Sequence, residues 1–357
     1  MFIPKLPISL IVEYTGSLRI ANILHKYIYT NIVYTNLIPK KILLYGQVQS
    51  GKTSYIIDYI KYVKQIKQNY LIIVILPNLK LAVNQLSSRL VKQNVTHDIL
   101  YGEGLELKSN VILAMNNTYQ ISKLLYLCKD RKSFLIIDEC DLCLRSINPL
   151  LLNNINIINQ LHITATPFTL KQTYNKVISI KPPPNYHGLQ QLRVKFIDDY
   201  DMIMNEFTRT DRGMMLINRL YRIHDMNMLA NRLSRMHSDI PIILLSSKKI
   251  LFLNNQQTYI SHNDISKIID KLKDFNHIIF IAHRYASRCI SYVSSDYTRH
   301  LTHQVLKMKD PTNFIQNLRI CGVYNDNPNL TMYLETNREV KQHKLLSKYI
   351  GLINFNS

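Results

Sequence analysis

The sequence predicts an α/β protein of two domains, each built on a parallel sheet covered by helices, and three observations carry that prediction. Short apolar runs without polar alternation recur between stretches of helical periodicity, which is the pattern of strands buried on both faces. A glycine-rich turn, GQVQSGKT at 46–53, separates the first such run from the first such helix. A proline cluster, KPPPNYHG at 181–188, divides the alternation in two, because three consecutive prolines continue neither a helix nor a central strand.

In chain order, Ile42, Leu43, Leu44 and Tyr45 form the first strand. In the helix that follows, Ile56, Ile57, Ile60 and Val63 recur on one face, with Asp58, Lys61 and Lys64 off that stripe. LIIVIL (71–76), VILA (111–114), FLII (134–137) and LHITA (161–165) continue the first sheet, each separated by enough chain to hold a covering helix. Beyond the prolines, GMMLIN (213–218), a helix over 223–236, IPIILL (240–245), IIFIA (278–282) and LTMYL (330–334) repeat the plan. The expected division is an N-terminal flank at 1–38, a first domain at 39–180, a linker at 181–188, a second domain at 189–335 and a C-terminal tail at 336–357.

Of 357 residues, 46% are hydrophobic and 19% charged, a globular composition with length enough for two domains. Lys and Arg number 44 against 24 Asp and Glu, a formal charge of +20, which implies a polyanionic partner and nucleic acid first. Five scattered cysteines argue against a disulfide framework and for a reducing compartment. Cys140 and Cys143 make a lone CxxC whose other two zinc ligands are absent nearby, so they read as small packing residues, and the pair His300 and His303 reads as polar packing. No apolar run reaches membrane-spanning length, and the N-terminal apolar stretch is too short for a secretion signal, so the expectation is a soluble intracellular protein without membrane attachment. The abundance of Asn, Ile, Lys and Tyr without any Trp suggests an A+T-rich genome, such as that of a large DNA virus or a mobile element.

The chemistry begins at Gly46-x-x-x-x-Gly51-Lys52-Thr53, the P-loop spacing, in which backbone N–H groups wrap phosphates, a Lys reaches the β and γ oxygens and a hydroxyl ligates Mg²⁺. Gln49, Ser50 and Ser54 complete the loop, and the strand-turn-helix context aims a helix N-terminus at the anion. The strand FLII then ends in DECD, where Asp138 is placed to hold Mg²⁺ with Thr53 and Glu139 to deprotonate an attacking water.

DECD together with TATP at 164–167 resembles motifs II and III of the superfamily 2 helicases, and ILPNLKLAVNQ at 75–85 is similar to their motif Ia. IAHRYASRCIS (281–291) and FIQNLRICG (314–322) resemble motifs V and VI, most closely in the form found in the Z-one ATPase domains. The chain departs from motif V at Cys289, where Gly is usual, and lacks the second arginine often found near the end of motif VI. The resemblance implies two RecA-like domains, ATP and Mg²⁺ as cofactors, and single-stranded or duplex nucleic acid as partner. Carried over by position, Thr164, Ala165 and Thr166 couple nucleotide state to domain closure, Ser287 and Arg288 line the nucleotide cleft, and Gln316 and Arg319 approach the γ-phosphate. Arg319 is the first choice for the arginine finger because a guanidinium stabilises spread phosphoryl charge. Asn78, Lys80, Asn117, Thr118, Arg219 and Arg222 are loop residues placed for phosphate contacts without base readout.

The expected function is a nucleic-acid-dependent ATPase of helicase type, loaded by an accessory protein. An ATP-regulated nuclease is one alternative, implied by the resemblance to Z-one domains; Glu106-Leu107-Lys108 and Glu339-Val340-Lys341 have the Glu-x-Lys form but lack an obvious partner Asp and read as coincidence. A binding module with a weakened P-loop is another, although Lys52, Thr53, Asp138 and Glu139 are all present. A small-molecule kinase would leave TATP, the second domain and the charge without a role.

Overall fold

The structure, a computed structural model, describes residues 40–100, 107–220, 222–246, 249–261, 264–283, 290–307, 310–324, 329–335 and 339–354. By contacts these divide into two compact units. The first holds the chain up to Tyr45, Gly51–Thr164 and Lys171–Ile178; the second holds Gly46–Ser50, Ala165–Leu170 and the chain from Ser179 onward.

The first unit is a seven-stranded sheet flanked by helices. Its strands are β1 (Lys40–Tyr45), β2 (Leu71–Leu76), β3 (Asp98–Ile99), β4 (Val111–Met115), β5 (Ser133–Ile137), β6 (Ile157–Thr164) and β7 (Lys176–Ser179), in the order β3-β4-β2-β5-β6-β1-β7. From β3 to β1 the neighbours run parallel. Every residue of β2, β4 and β5 is buried, as a strand covered on both faces requires. The covering helices are α1 (Lys52–Ile66), α2 (Lys80–Lys92), α3 (Thr118–Leu127), and the single turns α4 (Cys140–Cys143) and α5 (Pro149–Leu152). α1 buries the four stripe residues expected of it and also Tyr59 and Tyr62, whose rings widen the apolar face. At roughly 1.5–3 kcal/mol for each large apolar side chain removed from water, that face holds α1 on the sheet without help from any side-chain cap.

The second unit contains an eight-stranded sheet. In chain order its strands are β9 (Arg193–Phe196), β10 (Met214–Ile217), β11 (Ile242–Leu245), β12 (Lys249–Leu253), β13 (Gln256–Tyr259), β14 (Ile278–Ala282), β15 (His303–Val305) and β17 (Thr331–Leu334). They lie in the order β13-β12-β11-β14-β10-β15-β17-β9. β11 through β9 run parallel, whereas β12 and β13 return antiparallel, so one edge departs from the all-parallel sheet expected from the alternation. The reason is local: Asn254 and Asn255 both take positive φ, 50° and 61°, the two-residue turn that fits antiparallel strand twist. Helices α6 (Tyr200–Phe207) and α7 (Ile223–Met236) pack Ile203, Phe207, Met226 and Leu233 against Met215, Ile242 and Ile279 of the sheet. Shorter helices α8 (Ile265–Lys271) and α9 (Pro311–Asn317) and the C-terminal α10 (Glu339–Asn354) complete the unit.

A separate two-stranded ribbon pairs β8 (Tyr186–His187) antiparallel with β16 (Gly322–Val323). LHITA begins the end of a longer strand: β6 starts at Ile157 and stops at Thr164, leaving Ala165 beyond it. Among the described residues no helix is long and apolar enough to cross a membrane.

Candidate nucleotide-binding site

The site in the first unit is built at the C-terminal edge of its parallel strands, the edge where open α/β sheets place ligands. Tyr45 stands beside Thr164 and Ile137 beside His162, so β1, β5 and β6 end side by side. Asp138 leaves β5 with its amide donating to the Ile75 carbonyl at 3.0 Å, which fixes it at the mouth of the sheet.

Gly46–Thr53 joins β1 to α1. Its backbone alternates in hand: Gln49 takes φ 56° and Gly51 φ 88°, and the Gly51 residue caps α1. Ser50 N–H donates to Gln47 O at 3.2 Å and Ser54 N–H to Gly51 O at 2.9 Å, closing two turns. A Cβ on Gly46 would come within 3.0 Å of both Ile180 Cβ and Ser50 Oγ, so this position is kept as glycine by close approach.

Lys52 is buried, 9% exposed, at the first turn of α1, and Glu139 is buried at the start of α4. Burial, and secondarily the neighbouring Glu139, push the Asp138 carboxyl above its ordinary range, while the Lys52 ammonium and the Glu139 amide, which donates to Asp138 Oδ1 at 3.0 Å, pull it back down. A buried carboxylate so destabilised gains most from a cation. Glu139 has φ 46° and ψ 50°, left-handed backbone for a residue with a side chain, a strain that collects at functional sites. Thr164 Oγ1 donates to Asp141 Oδ1 at 2.8 Å, tying the end of the DECD stretch to the start of TATP, a bond the spacing alone did not show.

The donor set fits ATP with Mg²⁺. Thr53 offers a hydroxyl and Asp138 a carboxylate, the hard oxygens Mg²⁺ takes in small number alongside substrate phosphates. Ser50 Oγ lies buried in the loop with no hydrogen-bond partner, a polar atom a phosphate oxygen would satisfy.

Within the second unit a further group of the expected residues comes together. Gln316 Nε2 donates to Thr166 Oγ1 at 3.1 Å, and Gln316 Oε1 is buried without a partner. Arg319, 4% exposed, donates from its guanidinium to the carbonyls of Ile290, at 3.2 Å, and Gln316. The Arg319 carbonyl in turn accepts from Gln49 Nε2 at 3.0 Å. Two contacts of Gly46–Ser50 were not foreseen: that of Gln49 with Arg319, and that of Val48, whose carbonyl accepts from the Tyr186 hydroxyl at 2.7 Å. Ser287 and Arg288 lie outside the described residues.

The residues expected to touch nucleic acid fall into two kinds. Asn78, Lys80, Thr118 and Arg222 are exposed, and Asn117 caps α3 by accepting from Gln120 N–H while donating to Asn78 Oδ1 at 3.3 Å. Arg219 is instead held between Asp198, at 2.7 Å, and Glu335, at 3.4 Å. Among the described residues no group of three or more His, Cys, Asp or Glu is placed to hold a metal ion. Cys140 and Cys143 are buried thiols in the α4 turn.

No family model matches the chain, and no curated protein matches it in sequence. In fold it is similar to solved structures. Mss116p bound to single-stranded RNA and AMP-PNP superposes with a TM-score of 0.57 at 12% identity, over 98% of this chain and 83% of that one. RecG bound to a three-way DNA junction superposes with a TM-score of 0.62 at 15% identity, over 99% of this chain and 48% of that one, so the chain spans about half of RecG's length. The DEAD-box helicase Mss116 bound to single-stranded RNA and UDP-BeF gives 0.57 at 12% identity over 88% of this chain and 69% of that one. The RecA-like α/β fold is therefore shared with these solved structures.

Proposed function

We propose that the protein is a nucleic-acid-dependent ATPase of superfamily 2 type, coupling ATP hydrolysis to movement on, or remodelling of, DNA or RNA. The observation that carries this reading is the group at the end of β5: Lys52, buried at the start of α1, beside a carboxyl pair, Asp138 and Glu139. The helicase fold of the neighbours and the charge of +20 support the nucleic-acid half.

In this reading Lys52 binds the β and γ phosphate oxygens and the loop amides hold the rest of the triphosphate. Thr53 and Asp138 would hold Mg²⁺, which when bound neutralises charge developing on the phosphoryl oxygens. Glu139 accepts a proton from the attacking water. Gln316 and Arg319 sense the γ-phosphate. Arg319 must exchange its carbonyl partners for that oxygen, so we place it as a finger that engages on turnover. Domain limits at 39–180 and 189–335, and an accessory protein for loading, belong to the same proposal.

Steady-state ATP hydrolysis with and without single-stranded DNA and RNA tests it, comparing the wild type with Glu139→Gln. We expect stimulation by one of the strands and a loss of about 10²–10⁴-fold in the variant, the range for removing a general base. Nucleic-acid binding with no turnover under any condition would sink the motor reading and leave a binding module.

A further inference from the structure

We propose that Tyr186 is a positioning residue for the phosphate loop: its hydroxyl, donated to the Val48 carbonyl, holds the loop in the conformation that presents its amides to phosphate. The inference rests on the reading of residues 46–53 as an ATP site.

A loop that turns successive N–H groups inward must turn carbonyls outward, and each buried carbonyl needs a donor. Val48 is 5% exposed, and the donor comes from 138 residues away in the sequence: the Tyr186 hydroxyl at 2.7 Å. Burial pushes the Tyr186 phenol well above its ordinary value, so it remains a neutral donor at any working pH.

The next residue shows why the loop needs holding. Gln49 occupies left-handed backbone at φ 56°, a region that residues with a Cβ rarely adopt. Its side chain is anchored by donation to the Arg319 carbonyl at 3.0 Å. Tyr186 lies in one strand of the β8–β16 ribbon and Arg319 three residues before the other. Gly188, just beyond the ribbon, lets Gln47 approach, since a Cβ there would stand 2.8 Å from Gln47 Oε1. Three consecutive loop residues, Gln47, Val48 and Gln49, are thus met by one small ribbon and its ends.

The ribbon is itself braced. The Tyr324 ring lies edge-on to His187 at 5.6 Å and against His300 at 4.0 Å, and its hydroxyl donates to the Ile320 carbonyl. Packing of the Tyr186 ring would be kept by phenylalanine; only the hydroxyl reaches Val48. That separation makes the inference testable by a single oxygen atom.

The experiment uses the full chain and Tyr186→Phe. Titration with a fluorescent ATP analogue gives the nucleotide Kd, steady-state kinetics give KM and kcat, and thermal melting gives Tm. We expect Kd and KM for nucleotide to rise about five- to tenfold with kcat near that of the wild type, the size of one lost hydrogen bond spent on binding geometry, and Tm to fall by no more than about 4 °C. A purely structural role would lower Tm and leave Kd and KM where they were, which would overturn the inference. If the wild type itself bound no nucleotide, the ATP-site reading would fall and this inference with it; wild-type binding with an unchanged Tyr186→Phe removes the inference alone.

Discussion

At the scale of residues, two of the side-chain-bearing positions with left-handed backbone fall in the candidate site, while others, such as Asn254 and Asn255, serve turns. Gln49 and Glu139 both hold left-handed backbone, one in the phosphate loop and one at the carboxyl pair. Lys52, Thr53, Asp138 and Glu139 were legible because each sits at a fixed offset from a strand end or a glycine. The partners Tyr186 and Asp141 were not, because a hydrogen bond across 138 or 23 residues leaves no spacing to read. Another buried residue carries a pH dependence. His162 is fully buried on β6, and burial lowers its ring to about 3, against an ordinary value near 6.5 for the unfolded chain. The folded state therefore refuses a proton that the unfolded state accepts, and the stability it contributes is present above about pH 6.5 and lost as pH falls from there towards 3. Between about pH 6.5 and 5 the loss is roughly 2 kcal/mol. Urea unfolding of the wild type and His162→Gln at pH 7 and pH 5 checks this: the variant starts less stable, having lost bonds to Gln160 and Tyr174, but its acid-induced drop is smaller by about that amount. Equal drops would mean that the imidazole does not govern acid stability.

At the scale of elements, what announced itself was burial by apolar residues, and what hid was burial by polar ones. LIIVIL, IIFIA and MMLI read as central strands because every residue is buried and apolar. β15, His-Gln-Val, is no less central, yet it is absent from the strands expected from the sequence. Its polar groups are satisfied out of sight: Gln304 donates to Asn218 Oδ1 and the Asn317 carbonyl and accepts from Ile320 N–H, while His303 stacks on Tyr333 at 5.9 Å. The hairpin β12–β13 was missed for another reason, since two asparagines are a weaker turn signal than Asn-Gly. That turn makes a prediction. With φ 61° at Asn255, glycine suits the position better, so Asn255→Gly should raise Tm with a gain of up to about 1 kcal/mol, and Asn255→Val should lower it. A destabilised glycine variant would show that the asparagine side chain, not the backbone hand, holds the turn.

At the scale of the whole molecule, the charge of +20 was visible at once and bears on the partner. Binding to a single strand should weaken by about a hundredfold when salt rises from about 50 to about 200 mM, the loss for roughly five neutralised phosphates. A salt-insensitive affinity measured by fluorescence anisotropy would rule out backbone contacts as its source. The division into units was less visible, because Gly46–Ser50 and Ala165–Leu170 are grouped with the second unit although they lie within the first stretch of chain. No composition shift marks such short excursions. The strand order of the first sheet carries one further consequence, for the protein while it is being made. β1 lies between β6 and β7, and both are encoded downstream of it, β6 beginning at Ile157. At about 5–20 residues per second, a ribosome needs on the order of 6–20 s after releasing Tyr45 to supply the first of these neighbours. Through that interval the strand that ends in the phosphate loop has no place in a sheet, and a nascent-chain holdase would find its apolar ILLY segment waiting.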